Sequence, residues 1–375
     1  MASSRLGWRR PVRIVVIVLS SVVALVLLLF FYLWITHAVW YPRQRAHIRD
    51  ITEIPLRPAD EDRFSSVPLD DAIPYNNLRM IATHNSYHTE PDALRRFLIG
   101  LVEPEERTKL AYSHRPLWEQ LESGIRSFEL DVRYSRTLFG GERYRIIHAP
   151  LVDNRGMNPD LRLALQEIAL WSERRPGHVP VVVLLELKSD WMILDPRLKP
   201  WDRAALAGLD ELITESITAD RLFTPDDLRG GADSPGAAIQ QRGWPSLGEM
   251  RGHIILVLHA NDQLDPLYVE SDPALTGRPM FTSSSPDGLR PDALFVIHNE
   301  PIVESIDALV EADLIVRTRS DGDGELVPEV RNRALASAAQ IVSTDVPPGH
   351  VNDPSLTPTA FATGKTLTVT RPDAP

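Results

Sequence analysis

Apolar and polar positions follow two different periods along most of the chain. Short, nearly continuous apolar runs of strand length alternate with longer segments in which apolar residues recur every third or fourth position, as in amphipathic helices. Runs such as Val181–Leu187 and Ile254–Leu258 are typical of parallel strands that are covered on both faces. The eight predicted strands are 79–84, 126–133, 144–148, 180–188, 253–259, 294–298, 313–317 and 341–345.

Helical patterns lie between several of these strands. They cover 115–123, 158–174, 203–218, 302–312 and 329–339. Eight strands that alternate with helices over about 270 residues predict an α/β fold of the TIM type, a (β/α)8 barrel. Two further segments, 221–251 and 260–293, are too long for ordinary connections, so we expect them to form loops over one rim.

A long apolar run near the N-terminus predicts a transmembrane helix. Residues 14–35 are all apolar or aromatic except Ser20 and Ser21, and about 20 such residues cross a bilayer as a helix. Four arginines precede the run, and basic flanks stay cytoplasmic, so we expect a single-pass protein of the cell membrane with its N-terminus inside and the bulk of the chain outside. The alternative is a cleaved signal peptide, but its apolar region would be shorter and would end in an Ala-x-Ala-like site, which 35–40 does not offer.

These patterns divide the chain into five predicted parts. They are a basic cytoplasmic segment (1–13), the transmembrane helix (14–35), a stalk rich in Pro, Arg and Asp (36–76), the barrel (77–350) and a mobile tail (351–375). Within the tail, 367–369 has a strand pattern that would allow it to pair as an edge strand.

Composition limits the chemistry. The 375-residue chain has no cysteine, which excludes disulfides, thiolate zinc sites and cysteine nucleophiles. Six of its 40 basic residues but none of its 51 acidic residues lie within 1–45, so the rest of the chain carries a net charge of −17. A domain this acidic is a poor nucleic-acid binder and is better suited to binding cations.

Polar side chains follow nearly every predicted strand, at the end where TIM barrels carry their active sites. Glu129 and Asp131 are two residues apart on one strand, so both carboxylates point to the same face. The other strand-end residues are His84, Asn85, His148, Glu186, Lys188, His259, Asn299, Arg317, Arg319 and Asp345. Any one of them has a structural explanation, and it is their coincidence at equivalent positions that indicates a site.

The residue types favour one chemistry. The oxygen donors are Asn85, Glu129, Asp131 and Glu186. Without sulfur, they select a hard cation, Ca²⁺ or less favourably Mg²⁺, although histidines beside carboxylates could in principle join a transition-metal site. With a hard metal, His84 and His148 are free for proton transfer. The cations able to hold a phosphate are Lys188, Arg317 and Arg319. Together these groups predict metal-assisted cleavage of a phosphodiester.

Several blocks resemble the phosphatidylinositol-specific phospholipase C superfamily, in particular its bacterial calcium-dependent branch. They are Leu78–Tyr87, Phe128–Val132, Ile147–His148, Leu185–Lys188, Arg317–Arg319 and Ile341–Asp345, so the resemblance covers roughly 77–350. It implies a barrel in which His84 and His148 are the acid/base pair and Lys188 contacts the phosphate. The residues that it implies for Ca²⁺ binding are Asn85, Glu129, Asp131 and Glu186.

The implied reaction is attack of the inositol 2-hydroxyl on phosphorus. It releases diacylglycerol and leaves a cyclic inositol phosphate, which water can open. We expect the partner to be a phospholipid in a membrane and the protein to be a monomer. The apolar segments 97–102 and 191–194 follow predicted catalytic strands, so we expect them on the active-site rim, where they either enter the bilayer or pack against neighbouring helices.

Two alternatives stay open at this point. A glycerophosphodiester phosphodiesterase uses a similar barrel and a similar Glu-x-Asp pair, but that family favours His-Arg-Gly where this chain has His84, Asn85 and Ser86. The other alternative is a membrane-tethered barrel that binds lipid or inositol without catalysis.

Overall fold

The computed structural model describes residues 9–137, 140–259, 263–270, 272–321, 327–349 and 356–370. These residues contain ten strands. They are β1 (Leu78–Thr83), β2 (Ser127–Arg136), β3 (Glu142–Ile146), β4 (Val181–Leu187), β5 (Ile254–Leu258), β6 (Met280–Ser284), β7 (Ala293–Ile297), β8 (Ile315–Arg319), β9 (Ile341–Thr344) and β10 (Leu367–Val369).

Eight of the strands form a closed parallel barrel. Its order is β1, β2, β4, β5, β6, β7, β8 and β9, and β9 pairs in parallel with β1 to close the ring. The two other strands lie outside the ring, where β3 is antiparallel to β2 and β10 is antiparallel to β1. The predicted TIM-type (β/α)8 barrel is confirmed, and 367–369 forms the edge strand that its pattern allowed.

One of the eight predicted barrel strands lies outside the barrel, and one strand of the barrel was not predicted. The predicted strand 144–148 corresponds to β3, which only five residues separate from β2, and a parallel partner would need a crossover of about a dozen residues or more. The missing barrel strand is β6, inside the predicted rim loop 260–293. Its three hydroxyl residues hide the strand pattern, but all three are buried and two of them are bonded: Thr282 Oγ1 donates to Oδ2 of Asp292 at 2.9 Å, and Ser283 Oγ donates to the backbone oxygen of Leu258 at 2.8 Å.

Thirteen α-helices accompany these strands within the described ranges. They are α1 (Arg9–Ala38), α2 (Trp40–Thr52), α3 (Ala93–Val102), α4 (Glu106–Lys109), α5 (Leu117–Glu122), α6 (Leu161–Arg174), α7 (Arg203–Ser216), α8 (Pro225–Arg229), α9 (Pro235–Arg242), α10 (Leu247–Met250), α11 (Asp265–Val269), α12 (Val303–Glu311) and α13 (Pro328–Ala336). The expected rim loop 221–251 therefore contains three short helices. Two of them begin with proline at the first helical position, after the N-caps Thr224 and Ser234.

Strand β4 shows how the fold places polar groups. Val181, Val183 and Leu185 pack with the buried faces of α6 and α7, whereas Val182 and Leu184 face a second apolar cluster. Glu186 continues the face of Val182 and Leu184 because side chains alternate along a strand. A carboxylate thus replaces an apolar residue where the strand ends.

Helix α1 is long and apolar enough to cross a membrane, and its apolar window is exposed on the protein surface. The segment that follows it, part of the predicted stalk 36–76, includes helix α2, which packs on α6. The Gln44 amide donates to the backbone oxygen of Asp160 at 3.0 Å and accepts from the backbone nitrogen of the same residue at 3.1 Å. The polar composition of this segment hid one narrow buried face that includes Trp40, Gln44 and Ile51.

Candidate active site

His84 directly follows β1, and charged partners hold its ring on two sides. Its Nδ1 lies 2.8 Å from Oδ1 of Asp345, which follows β9, and its Nε2 lies 3.4 Å from Nη1 of Arg319 at the end of β8. Because arginine can only donate, Nε2 accepts, and the neutral ring carries its proton on Nδ1, which donates to Asp345. This tautomer keeps the lone pair on Nε2, which can serve as a general base once Arg319 turns its donor from the ring to another acceptor.

His148 lies just beyond β3 and is held by a carboxylate from the following loop. Its Nδ1 lies 2.8 Å from Oδ2 of Asp153. The fully buried His88 places its Nε2 3.2 Å from Oδ1 of the same carboxylate, which fixes Asp153 from the other side. The ring of His148 therefore donates from Nδ1, and Nε2 is the nitrogen that can reach a substrate.

The two environments shift the histidines in opposite directions. Burial, reinforced by the charge of Arg319, holds the pKa of His84 well below its usual value. Burial acts on His148 in the same direction, but the hydrogen bond and the charge of Asp153 outweigh it and raise its pKa to about 9. At pH 7, His84 is neutral and His148 is protonated, which is the pairing that a base and an acid need.

Carboxylates from neighbouring strands converge beside these rings. Ligand atoms of Glu129 on β2, Glu186 on β4 and His259 after β5 lie within 4.8 Å of one another, close enough to hold one metal ion. Asp131 lies opposite Glu186 in the β2–β4 register and is fully buried, and within the described residues neither of its carboxylate oxygens has a hydrogen-bond partner. Unsatisfied buried oxygens are costly, and a bound cation would satisfy them.

Asn85 lies in the turn that follows β1. It is buried and has a φ of 44°, a left-handed conformation that asparagine tolerates better than most residues. The neighbouring residue Ser86 is hydrogen-bonded to β2. Its backbone nitrogen donates to the backbone oxygen of Glu129, and its Oγ accepts from the backbone nitrogen of Glu129, both at 2.9 Å. The site thus offers mainly oxygen donors, which fit Ca²⁺.

Two cations lie against these carboxylates. Arg317 on β8 forms an ion pair with Glu129. The Nζ of Lys188 lies 2.7 Å from Oε1 of Glu186 and 3.5 Å from Oδ2 of Asp131. Three carboxylates and two cations leave one net negative charge, so a divalent cation would turn the cluster positive by one. A positive cluster complements the single negative charge of a phosphodiester.

The three carboxyl groups are ionised at neutral pH. Burial alone would raise their pKa values, but the charge of Arg317 lowers that of Glu129 to about 2, and the charges of His259 and Lys188 lower that of Glu186 to about 2. For Asp131 burial wins over the charge of Lys188, and the pKa rises to about 6. Asp131 is therefore the carboxylate that gains most from a bound cation.

The structure places every predicted site residue at one end of the barrel. Arg319 lies between His84 and Asp345, whereas Arg317 is buried against Glu129, and the ion pair would have to open or be shared before Arg317 could contact a substrate. The groups that sequence reasoning missed are Asp153, His88 and Asp321, the last of which accepts from Arg319 at 3.2 Å. For His259, Asn299 and Asp345 it gave no role. Asp153 lies in a loop without periodicity, so its only sequence signal is its position five residues after His148.

The sequence matches the profile of a family described as phosphoinositide phospholipase C, Ca²⁺-dependent, over residues 73–143 and 139–355. The chain belongs to this family. The resemblance noted in the sequence is thus confirmed, and so are the enzyme class, phosphoinositide phospholipase C, and the dependence on Ca²⁺. The oxygen-rich cluster at the strand ends agrees with a family that uses this ion.

Solved structures share the fold of this phospholipase. A calcium-dependent phosphoinositol-specific phospholipase C from Pseudomonas sp. in its apo form has a TM-score of 0.58 at 18% identity, with 83% of this chain and 100% of that chain covered. A calcium-dependent phosphatidylinositol-specific enzyme from Streptomyces antibioticus has a TM-score of 0.51 at 19% identity, with 73% and 95% covered. At these identities the likeness shows the barrel fold. No curated protein matches the sequence.

Proposed function

We propose that the chain is a membrane-anchored, Ca²⁺-dependent phosphodiesterase that cleaves phosphatidylinositol to diacylglycerol and inositol phosphate. The observation that carries this proposal is the pair of strand-end histidines, each held at Nδ1 by its own carboxylate, beside a buried carboxylate cluster. The family assignment supports the reaction class.

The histidines divide the two proton transfers between them. His84 takes the proton of the inositol 2-hydroxyl on Nε2, while Asp345 holds its Nδ1–H in place. The hydroxyl oxygen then bonds to phosphorus as the phosphorus–oxygen bond to diacylglycerol breaks. His148 gives its Nε2 proton to the departing oxygen, and Asp153 stabilises the cationic ring before the transfer. A cyclic inositol phosphate results, and water can open it if the two rings exchange roles.

We assign the Ca²⁺ ligands to Asn85, Glu129, Asp131 and Glu186. The bound ion would lower the pKa of the attacking hydroxyl and balance charge on the phosphoryl oxygens. His259 lies close enough to two of these carboxylates to take part, and its nitrogen is a less suitable donor for a hard cation.

Lys188 and Arg319 are the cations best placed for the phosphate. Lys188 bridges Asp131 and Glu186, and Arg319 lies at hydrogen-bond distance from the ring of His84, so both flank the positions where the reacting groups would meet. Arg317 is the third predicted phosphate ligand. Its ion pair with Glu129 would instead hold that carboxylate in place.

The anchor is helix α1, with the N-terminus on the cytoplasmic side and the barrel outside. Arginines before the apolar run support this orientation. The substrate is then a phospholipid in the same membrane, and the protein acts as a monomer.

A hydrolysis panel tests the proposal. The full chain in vesicles is given phosphatidylinositol, phosphatidylcholine or glycerophosphocholine, and water-soluble phosphates are quantified. We expect inositol phosphate from the first substrate only, and loss of its release in His84→Ala. A matched control is His253→Gln, because His253 precedes β5 at the opposite end of the barrel. Hydrolysis of glycerophosphocholine, together with no hydrolysis of phosphatidylinositol, would refute the assignment.

A further inference from the structure

The end of α1 is fixed to the catalytic domain by a buried arginine of α3. The guanidinium of Arg95 is fully buried, and its Nη2 donates to the backbone oxygen of Leu33 at 3.0 Å and to Oγ1 of Thr36 at 2.7 Å. Its charge is balanced by Asp92. A buried charge bonded in this way is costly to expose, so the last turns of α1 have a defined position against α3.

A second arginine fixes the same end of α1 from another side. Arg145 on β3 donates to the Tyr41 hydroxyl at 3.1 Å and to Nε2 of His37 at 3.2 Å, and Asp195 balances its charge. Helix α1 therefore does not reach the barrel through an extended tether, and its C-terminal turns are part of the wall around the active-site end.

A groove with a volume of about 360 Å³ lies between α1, α3 and the turn at Trp191–Leu194. We call it the acyl groove. Its α1 wall is Leu29, Phe30 and Leu33, and its α3 wall includes Leu98, Leu101 and Val102. His148 and Asp153 lie in the same groove. Its other charged wall residues are Glu103 and Glu106, and Glu106 pairs with Lys109 at 3.4 Å.

The α1 residues that line the acyl groove are at the level of the outer leaflet of the bilayer in the proposed orientation. If 14–35 crosses the hydrocarbon, Leu29 lies about 9 Å inside its outer boundary at a rise of ~1.5 Å per residue. The rim beside it is apolar and unusually exposed: Leu101 is 65% and Ile193 is 90% accessible. Exposed apolar surface that is continuous with a membrane-spanning helix is suited to the lipid phase.

We infer that an acyl chain of the phospholipid being cleaved lies in the acyl groove, with α1 as one wall of the substrate site. The inference rests on the proposed function, in which His148 protonates the diacylglycerol oxygen. The diacylglycerol half of the substrate must therefore begin at His148, which the groove reaches, and its chains need an apolar path back to the bilayer. The groove is such a path, because its α1 wall opens directly onto the membrane.

Photo-crosslinking tests the inference without turnover. The His84→Ala chain, in which turnover is blocked, is reconstituted in vesicles with Ca²⁺ present, together with phosphatidylinositol that carries a diazirine in one acyl chain. We expect adducts on 29–33 and 98–102, with severalfold higher yield than from phosphatidylcholine with the same chain. Equal labelling by both lipids would mean that the groove holds bulk lipid, and no labelling of these residues would mean that lipid does not enter it. Either result overturns the inference.

A pair of identical substitutions on α3 gives the second test. Leu101→Trp narrows the acyl groove without reducing the affinity of the rim for the bilayer, because tryptophan is favoured at the interface. Leu94 lies on the same helix outside the groove and is 39% exposed, so Leu94→Trp is the matched control.

We expect Leu101→Trp to slow hydrolysis of long-chain phosphatidylinositol roughly tenfold and to spare a soluble short-chain analogue, whereas Leu94→Trp changes neither rate. Equal rates of the two variants on vesicles would overturn the inference. If the unmodified protein hydrolyses neither substrate, the proposed function fails instead, and the cross-linking result still decides what occupies the groove.

Discussion

Removing the charge of Asp153 should change the pH range in which the enzyme works. Asp153 is what raises the pKa of His148 to about 9, against the opposing effect of burial. Asp153→Asn keeps the shape of the side chain and a hydrogen-bond acceptor for Nδ1 but loses the charge. With burial then unopposed by that charge, we expect the pKa of His148 to fall to about 6.5 or below.

The magnitude follows from the two pKa values. At pH 8, a group with a pKa of 9 is about 90% protonated and one with a pKa of 6.5 about 3%, so the acid form falls roughly thirtyfold. The contribution of the His148–Asp153 ion pair to the stability of the fold changes with pH in the same direction as the rate. Because the folded pKa is raised, its contribution is complete below about 6.5 and is lost as the pH rises through about 9. The wild type should therefore lose its stability advantage over the variant across that interval.

The assay is the initial rate of inositol phosphate release from phosphatidylinositol between pH 5 and 10, at saturating Ca²⁺. In Asp153→Asn the alkaline limb should move from near pH 9 to below pH 7. Asp345→Asn is the matched control, because Asp345 holds the other histidine: it should lower the rate and leave the alkaline limb in place. Thermal unfolding of both variants checks that they fold. An unmoved limb in folded Asp153→Asn would refute this reasoning.

Four further variants test the remaining roles. Asp131→Asn should abolish Ca²⁺-stimulated hydrolysis without lowering the unfolding temperature, and full turnover of this variant would remove Asp131 from the metal site. His84→Ala and His148→Ala should each reduce kcat by ~10²–10⁴-fold, and a folded variant with a near-normal rate would show that its ring is structural. Trp191→Ser combined with Leu194→Ser should slow hydrolysis in vesicles and spare a soluble short-chain substrate, and an equal loss on both would mean that this turn supports the barrel itself.

The barrel could be predicted because parallel strands covered on both faces are apolar along most of their length, as Val181–Leu187 shows up to Glu186. The same reasoning fails where hydroxyl residues are buried in a strand, as in Met280–Ser284, where Thr282 and Ser283 find hydrogen-bond partners inside the core. The apolar pattern also does not show whether two neighbouring strands run parallel or antiparallel. Glu142–Ile146 was therefore placed in the ring, although its short connection from β2 allows only an antiparallel pair. Strand patterns identify strands, and connection lengths decide how they pair.

The strand-end residues of the site could be predicted for a related reason. Period 2 fixes the face of Glu129 and Asp131, and a parallel barrel collects strand ends at one rim. The ion pair of Glu129 with Arg317 could not be predicted, because the partners lie 188 residues apart and only the closed barrel brings them together. Asp153 comes from a loop, where no period determines what a side chain faces. The charges that set each pKa are therefore a tertiary property of the site.

The most direct test of the account is phosphorus NMR of the reaction at controlled free Ca²⁺. The full chain in phosphatidylinositol vesicles is first treated with chelator, then given Ca²⁺ in steps. The account predicts no product in chelator, and with Ca²⁺ a cyclic inositol phosphate that appears before any monoester. Full turnover in chelator, or a monoester formed without a preceding cyclic species, would contradict Ca²⁺-dependent attack by the inositol hydroxyl between His84 and His148.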